Sequence, residues 1–209
     1  MKYKSFLFDW DGCLADTLPI WFGGMKAGLA YFNVEVPDNI IKKGFQGWEI
    51  FPELGVSDMD LFTEQVYKYV NKNLCNIQLN EGVIEILDML KEKEIKFAIV
   101  TTTEKEKIYP VLERFNLPDF FNVIIDRNDV KKLKPDCEAI DKALETIRGD
   151  KALTAMVGDS EVDIKAGKNA GISTIWFSPK DNKEFHWHFN DRVMPDYTIG
   201  NFYELERYF

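Results

Sequence analysis

Short apolar runs and amphipathic stretches alternate along most of the chain. Six apolar runs have the length and composition of buried strands. They occupy residues 6–8, 95–100, 121–125, 153–157, 173–177 and 197–199. Between them, apolar residues recur every three or four positions, which is typical of helices packed against a sheet. One of these helices is predicted to open at Lys134 and run through Arg148, and the next is predicted to stop at Gly171. Strands that alternate with helices predict the α/β class, with a Rossmann-like parallel sheet covered by helices on both faces.

A predominantly helical segment, residues 17–80, interrupts this alternation. Apolar residues recur at helical spacing in two parts of it, and Ser57 is placed to cap the second helix. The segment has no stretch typical of a strand, so we expect an inserted helical cap over the carboxyl end of the first strand. The predicted domains are therefore an α/β core of residues 1–16 and 81–209 and a helical cap domain of residues 17–80.

Aromatic and basic side chains of the predicted cap have two interpretations each. The aromatic residues are either core, which is the commoner role, or the lining of a substrate pocket. They are Trp21, Phe22, Trp48 and Phe51. Lys26, Lys42 and Lys43 are candidates for binding a distal anion of a substrate, although a solvated helix surface is the default for lysine.

Two carboxylates directly follow the first predicted strand. Asp9 and Asp11 come after the run 6–8, and residues two apart in an extended chain project to the same side. Two like charges about 4 Å apart repel by roughly 4 kcal/mol at an effective dielectric of about 20, so the pair needs a cation or a shared proton. Gly12 allows the chain to turn away. Taken alone, the pattern fits a surface Asp-x-Asp-Gly turn equally well.

Polar side chains also follow three later strands. They are Thr101, then Lys134 after a loop, and Asp159 with Asp163. The carboxyl ends of parallel strands share one edge of the sheet, where open α/β sheets bind ligands. Carboxylates, a hydroxyl and a lysine at one edge can divide the work of phosphoryl transfer between a nucleophile, a general acid, oxygen ligands for Mg²⁺ and phosphate contacts. Ser160 and Asp163 also fit a helix N-cap, and Lys134 alone fits a surface charge.

Charge and cysteine usage narrow the class of protein. The formal charge is −9 without a block of Lys or Arg, which argues against a nucleic-acid partner or an anionic membrane surface. Cys13, Cys75 and Cys137 are scattered without metal-ligand spacing, which indicates reduced thiols. Apolar stretches are too short for a signal peptide or a membrane span. We therefore expect a cytoplasmic protein with a small-molecule partner, whose oligomeric state the sequence leaves open.

Together, these polar residues resemble the four motifs of the haloacid dehalogenase-like (HAD) phosphohydrolases. Asp9-Trp10-Asp11-Gly12 resembles the first motif, Asp-x-Asp-Gly, and Thr101 resembles the hydroxyl residue of the second. Lys134-Pro135 resembles the third motif, and the stretch from Gly158 to Asp163 resembles the fourth, Gly-Asp-Ser-x-x-Asp. The helical insertion resembles the C1-type cap of this family. The subgroup most similar to the chain is that of phosphoglycolate phosphatase and β-phosphoglucomutase.

The resemblance implies a Mg²⁺-dependent phosphatase that acts on a small phosphorylated metabolite through an aspartyl-phosphate. It implies that Asp9 is the nucleophile and a metal ligand. It implies that Asp11 is the general acid and base and binds the metal through its backbone carbonyl. Many relatives have Thr or Val after the first glycine, where this chain has Cys13, and we expect a small, partly buried side chain there.

The resemblance also implies roles at the later strand ends. Lys134 and Thr101 would hold the phosphoryl group, with Thr102 as the second choice for the hydroxyl. The alternative interpretation of these residues is that Thr102 or Thr103 caps the next helix. Asp159 would bind Mg²⁺ directly, and Asp163 would bind it directly or through water, so the metal ligands would be Asp9, Asp11, Asp159 and Asp163.

Two other functions are compatible with the same motifs. A phosphomutase of the β-phosphoglucomutase type would return the phosphoryl group to a sugar, and the motifs barely separate it from a phosphatase. A non-catalytic regulatory protein is disfavoured, because such proteins usually lose the nucleophile or a metal ligand. Separately, His186 and His188 flank Trp187 at a spacing that permits a metal pair, although the acidic neighbours favour a solvated loop.

Overall fold

A computed structural model describes residues 2–45, 47–117, 120–121, 123–179 and 193–209 of the chain. His186 and His188 lie outside the described residues. The chain divides into two compact units, Thr17–Ile77 and a larger one formed by Met1–Asp16 with Gln78–Phe209. Among the described residues, no helix is long and apolar enough to cross a membrane.

The strands and helices follow one another in the order that the apolar pattern predicts. The strands are β1 (Ser5–Phe8), β2 (Ala15–Asp16), β3 (Gln78–Leu79), β4 (Lys96–Val100), β5 (Ile124–Ile125), β6 (Thr154–Gly158), β7 (Ser173–Phe177) and β8 (Tyr197–Ile199). The helices are α1 (Leu18–Tyr31), α2 (Asp38–Ile41), α3 (Ile50–Glu53), α4 (Met59–Asn73), α5 (Val83–Glu92), α6 (Lys105–Arg114), α7 (Glu138–Ile147) and α8 (Glu161–Ala170).

The described residues of the larger unit form a six-stranded sheet in the order β5-β4-β1-β6-β7-β8. Every neighbouring pair is parallel. In chain order, β4 and β5 lie on one side of β1, and β6, β7 and β8 then lie on its other side. The order therefore reverses next to β1, where open α/β sheets form a crevice at the carboxyl ends of their strands. The predicted α/β class with a parallel sheet is confirmed.

The central strand is buried on both faces of the sheet. All four residues of β1 are buried, as expected for a parallel strand covered by helices on both sides. On one face, Leu7 belongs to an apolar cluster with residues of α7 and α8, among them Ile140 and Ala166. On the other face, the Phe8 ring lies 6.1 Å from that of Phe202, which begins a 3-10 helix. The strand is therefore covered on both faces, and its pairing in register with β4 and β6 sets the level at which it ends.

Two predicted element boundaries are wrong in the larger unit. The helix predicted from Lys134 begins at Glu138, because residues before it form a turn in which the Asp136 N–H donates to the Leu133 carbonyl. The Glu138 carboxylate also accepts backbone N–H groups of the preceding loop and so holds that loop in place. Of the described residues in the strand predicted over 121–125, Ile124–Ile125 form the strand β5, and the Val123 carbonyl accepts the Ile99 N–H at 3.0 Å. The predicted stop of α8 at Gly171 is confirmed.

The smaller unit is built around α1 and α4. Its core contains Met25, Leu29 and Val66, with the rings of Phe51 and Phe62 at a centroid distance of 4.5 Å. Phe51 therefore takes the core role, the commoner of the two interpretations. The prediction that Ser57 caps α4 is wrong. Asp58 caps α4 by accepting the Leu61 N–H at 3.0 Å, and its carboxylate also interacts favourably with the helix dipole.

A short antiparallel ladder links residues on either side of the smaller unit. Ala15 pairs with Leu79 and Asp16 pairs with Gln78, and the Asn80 N–H donates to the Leu14 carbonyl at 2.9 Å. The prediction that 17–80 contains no strand is therefore wrong for β3. Strands of two residues leave no readable periodicity in a sequence, and this pairing assigns residues 78–80 to the larger unit.

Replacement of Gly171 tests the end of α8. Gly171 has φ +73°, and a Cβ there would meet no atom within 4 Å, so the backbone conformation alone sets the cost. We expect Gly171→Ala to lower the free energy of unfolding by about 1 kcal/mol, because an L-residue is strained in this region. Gly171→Asn should lose less, because Asn tolerates the conformation. Urea titration followed by circular dichroism measures both, and an Ala variant as stable as the wild type would contradict this account.

Candidate active site

Asp9 lies at the carboxyl end of the central strand. Its backbone N–H donates to the Val157 carbonyl at 2.9 Å, which continues the ladder between β1 and β6 by one residue. The residue is buried, with 7% of its surface exposed. The chain then folds back on itself: Gly12 has φ +74°, and its N–H donates to the Ala15 carbonyl. The glycine conformation that this turn requires is the one the sequence predicts, and it ends the strand at the site.

Asp159 and Asp163 follow the adjacent strand, β6, and are both buried. Asp163 lies in the first turn of α8, where its Oδ2 accepts the Ser160 N–H at 3.1 Å and the Ser160 hydroxyl at 2.5 Å. Ser160 in turn accepts the Asp163 N–H, which completes a capping box. The N-cap interpretation therefore holds, and it leaves the Oδ1 atom of Asp163 directed at another partner.

That partner is Lys134, whose ammonium group lies between two carboxylates. Nζ donates to Asp9 Oδ1 at 2.5 Å, to Asp163 Oδ1 at 2.6 Å and to the Val100 carbonyl at 3.0 Å. The Lys134 side chain is only 4% exposed. It is thus a buried, fully engaged cation rather than a surface charge, and it connects the ends of β1, β4 and α8.

Three buried carboxylates form an acidic cluster, which consists of Asp9, Asp159 and Asp163. One oxygen from each lies within 4.8 Å of the others. Against these three potential negative charges, the described residues of the cluster supply one ammonium, that of Lys134, so the ionised cluster carries surplus negative charge. Hard divalent cations such as Mg²⁺ take oxygen ligands of this kind and would supply the missing charge. The donor set therefore fits the predicted metal.

Burial and the surplus of negative charge together shift the pKa values of the cluster. Burial, with the neighbouring charge of Asp163 as the next cause, raises the pKa of Asp9 to about 7. Burial and the charges of Asp163 and Asp9 also raise the pKa of Asp159 well above its usual range. Burial alone would lower the pKa of Lys134, but the charges of Asp163 and Asp9 outweigh it and raise that pKa. Lys134 is therefore a permanent cation beside carboxyls that are costly to ionise without a further positive charge.

The hydroxyl residues predicted at the end of β4 differ in their surroundings. Thr101 is buried, and its N–H donates to the Ile125 carbonyl at 3.0 Å, so it extends the β4–β5 ladder. Thr102 is exposed. The structure thus places Thr101 at the sheet edge with the acidic residues, in agreement with the first choice from the sequence, while the phosphate-binding roles stay predictions.

Asp11 has a different partner from Asp9. Its Oδ2 accepts a hydrogen bond from the Thr103 hydroxyl at 2.5 Å, and its side chain is not part of the acidic cluster among the described residues. Sequence reasoning treated Thr103 only as a helix cap and missed this contact. The run of three threonines was the available signal, but it does not say which hydroxyl turns toward Asp11.

Two further contacts support the loops of the site. Trp176 Nε1 donates to the Asp159 carbonyl at 2.9 Å, a contact that sequence reasoning also missed. Cys13 is fully buried, and its thiol donates to the Val157 carbonyl at 3.5 Å. Burial raises the pKa of this thiol well above its usual range, so Cys13 is a packed neutral side chain. It is more deeply buried than the partly buried position expected from the sequence.

Comparison with known proteins places this arrangement in context. A family model for haloacid dehalogenase-like hydrolases matches residues 6–177. Pyrophosphatase PpaX from Halalkalibacterium halodurans is 33% identical over 184 residues, which cover 83% of this chain and 83% of the relative. The matched region of the family model includes the acidic cluster, Lys134 and the threonines at the end of β4.

Solved structures share the fold. A candidate phosphoglycolate phosphatase from Lactobacillus plantarum has a TM-score of 0.84 at 21% identity, with both chains covered completely. CbbY from Rhodobacter sphaeroides, solved in complex with phosphate, has a TM-score of 0.80 at 19% identity and covers 97% of this chain and 96% of its own. At these identities the likeness concerns the fold.

Removal of the buried ammonium tests the electrostatic role of Lys134. Without divalent cations, we expect Lys134→Met to lower the free energy of unfolding by about 3 kcal/mol, because removing one partner of a buried ion pair leaves the other uncompensated. Lys132→Met is the control, since that side chain is 73% exposed and should change stability by less than about 0.5 kcal/mol. Urea titration at pH 8 measures both variants. A loss for Lys134→Met no larger than that of the control would contradict the assigned role.

Proposed function

This chain belongs to the haloacid dehalogenase-like hydrolases, and from that premise we propose that it is a Mg²⁺-dependent phosphatase acting on a small phosphorylated metabolite. The observation that carries the proposal is the environment of Asp9. Its carboxylate lies at the end of the central strand, beside Lys134 and within 4.8 Å of two further carboxylates. A carboxylate nucleophile in phosphoryl transfer needs positive charge beside it, because the incoming phosphate is itself negative. Lys134 supplies one such charge, and a bound Mg²⁺ would supply the rest.

In the first step we assign the nucleophile to Asp9. One of its carboxylate oxygens forms a bond to phosphorus while the bond between phosphorus and the leaving oxygen breaks. The electron pair of the broken bond stays on the leaving oxygen, which takes a proton from the Asp11 carboxyl. The step leaves an aspartyl-phosphate on Asp9, an ionised Asp11 and a neutral alcohol or phosphate product.

In the second step we assign Asp11 the role of general base. Asp11 removes a proton from a water molecule whose oxygen attacks phosphorus, and the bond between phosphorus and Asp9 breaks with its electron pair returning to the carboxylate. The products are inorganic phosphate, free Asp9 and a protonated Asp11. The proton given up in the first step is thereby recovered, so that the cycle needs no external acid.

The remaining residues are assigned to binding and charge neutralisation. Asp9, Asp159 and Asp163, with the backbone carbonyl of Asp11, would hold Mg²⁺, which when bound supplies positive charge opposite the phosphoryl oxygens. Lys134 and Thr101 would contact the same oxygens, Lys134 through its ammonium group and Thr101 through its hydroxyl.

Inorganic pyrophosphate is the first substrate to examine. The relative from Halalkalibacterium halodurans is named a pyrophosphatase, and pyrophosphate presents the same phosphoryl group with phosphate as the leaving group. We assign substrate selection to the smaller unit, the segment that resembles a C1-type cap, so a panel of sugar and short-chain phosphates completes the screen. Phosphate release that matches substrate loss supports a phosphatase, whereas isomerised sugar phosphate without net release would favour the phosphomutase alternative.

Asp9→Asn tests the nucleophile. The amide retains the shape of the side chain but is a very poor nucleophile, so we expect Mg²⁺-dependent phosphate release to fall by at least about 10³-fold. Asp88→Asn on the exposed surface of α5 is the matched control and should retain wild-type activity. Release is measured for pyrophosphate and p-nitrophenyl phosphate, with chelation by EDTA as a second control. Unchanged turnover in Asp9→Asn would remove the proposed mechanism.

A further inference from the structure

A threonine outside the predicted site residues holds the side chain of Asp11. The Thr103 hydroxyl donates to Asp11 Oδ2 at 2.5 Å, across 92 positions of sequence and within the larger unit. A carboxyl group held through one oxygen turns its other oxygen in a fixed direction. The orientation of the proposed acid and base is therefore set by a residue on a different strand end from its own.

The loop that carries Thr103 is fixed at both ends. On one side, the Thr101 N–H donates to the Ile125 carbonyl and closes the β4–β5 ladder. On the other side, the Lys105 N–H donates at 2.9 Å to Oδ2 of Asp126, a carboxylate with no exposed surface. A hydroxyl on a loop pinned in this way is preorganised, and it loses little conformational freedom when it holds Asp11.

Thr103 is also linked to the residue assigned to phosphate binding. Its backbone N–H donates to the Thr101 hydroxyl oxygen at 3.1 Å. This bond uses a lone pair of Thr101 and so directs the Thr101 proton away from Thr103. One short segment thus orients two functional groups: Thr101, through the Thr103 N–H, and Asp11, through the Thr103 hydroxyl.

We propose that Thr103 is a positioning residue that aims the Asp11 carboxyl at the leaving oxygen. The inference rests on the proposed function and adds a residue to it. Thr103 does not touch the reacting atoms in this assignment. It acts through Asp11, so its effect depends on how strongly a substrate needs the proton that Asp11 donates.

That dependence gives the proposal a specific signature. An alkyl oxygen is a poor leaving group and must be protonated as it departs, whereas p-nitrophenolate leaves without a proton. The value of kcat/KM reports the steps up to formation of the aspartyl-phosphate. A misaimed Asp11 therefore lowers kcat/KM for an alkyl phosphate far more than for p-nitrophenyl phosphate.

The experiment compares kcat/KM for glycerol phosphate and p-nitrophenyl phosphate in the full chain with Mg²⁺. For Thr103→Val, which keeps the shape and loses the hydroxyl, we expect a fall of about 10- to 100-fold with the alkyl substrate, a part of the roughly 10²–10⁴-fold contribution of general acid catalysis. The aryl substrate should change by less than about threefold, because it does not need the acid. Thr103→Ser restores the hydroxyl and should recover most of the alkyl activity.

Thr146→Val is the control for loss of a threonine hydroxyl. Thr146 lies on the exposed surface of α7 and donates to the Lys142 carbonyl within its own helix, so both substrates should be turned over at the wild-type rate.

Equal losses for both substrates in Thr103→Val, or the absence of any loss, would overturn the positioning role, as would a failure of Thr103→Ser to recover. A wild-type protein inactive on every phosphate tested would instead overturn the proposed function. Wild-type activity that Asp9→Asn abolishes supports the proposed function, and a failed Thr103 result would then overturn the positioning role alone.

Discussion

The site depends on one buried cation among carboxylates. The Lys134 ammonium donates to Asp9, to Asp163 and to the Val100 carbonyl. It thereby links the ends of β1 and β4 with the first turn of α8. The lysine offsets only part of the negative charge of the acidic cluster, and burial together with the charge of Asp163 raises the pKa of Asp9 to about 7. This residual negative charge favours a divalent cation in the cluster, and in the proposed function that cation would offset the charge of the incoming phosphate.

The sheet topology explains why these residues meet. Ser5 to Phe8 pair in register with both Lys96 to Ile99 and Thr154 to Val157, so the ends of β1, β4 and β6 lie at one level. The order of strands reverses at β1, so the side chains that follow β1, β4 and β6 lie at the point of the sheet edge where open α/β sheets bind ligands. The capping box of α8 and the turn at Gly12 then fix the directions in which the carboxylates point.

Most of this arrangement could be predicted from the sequence, because it is carried by long apolar runs and by polar residues at their ends. The parts that could not be predicted depend on loop conformation or on very short pairings. The β2–β3 ladder has two residues in each strand and no period, and the turn after Lys134 delays α7 by four residues. The contacts of Thr103 and Trp176 depend on which way a side chain turns within a loop, and composition does not encode that direction.

The central claim is that Asp9 and Asp159 share one divalent ion beside the phosphoryl site. A crystal structure of the protein grown with Mg²⁺ and beryllium fluoride, which mimics a phosphoryl group on a carboxylate, tests it most directly. We expect the fluoride complex on an Asp9 oxygen and a magnesium ion about 2.1 Å from one oxygen of Asp9 and one of Asp159. Magnesium bound elsewhere, or a fluoride complex attached to another residue, would contradict the account.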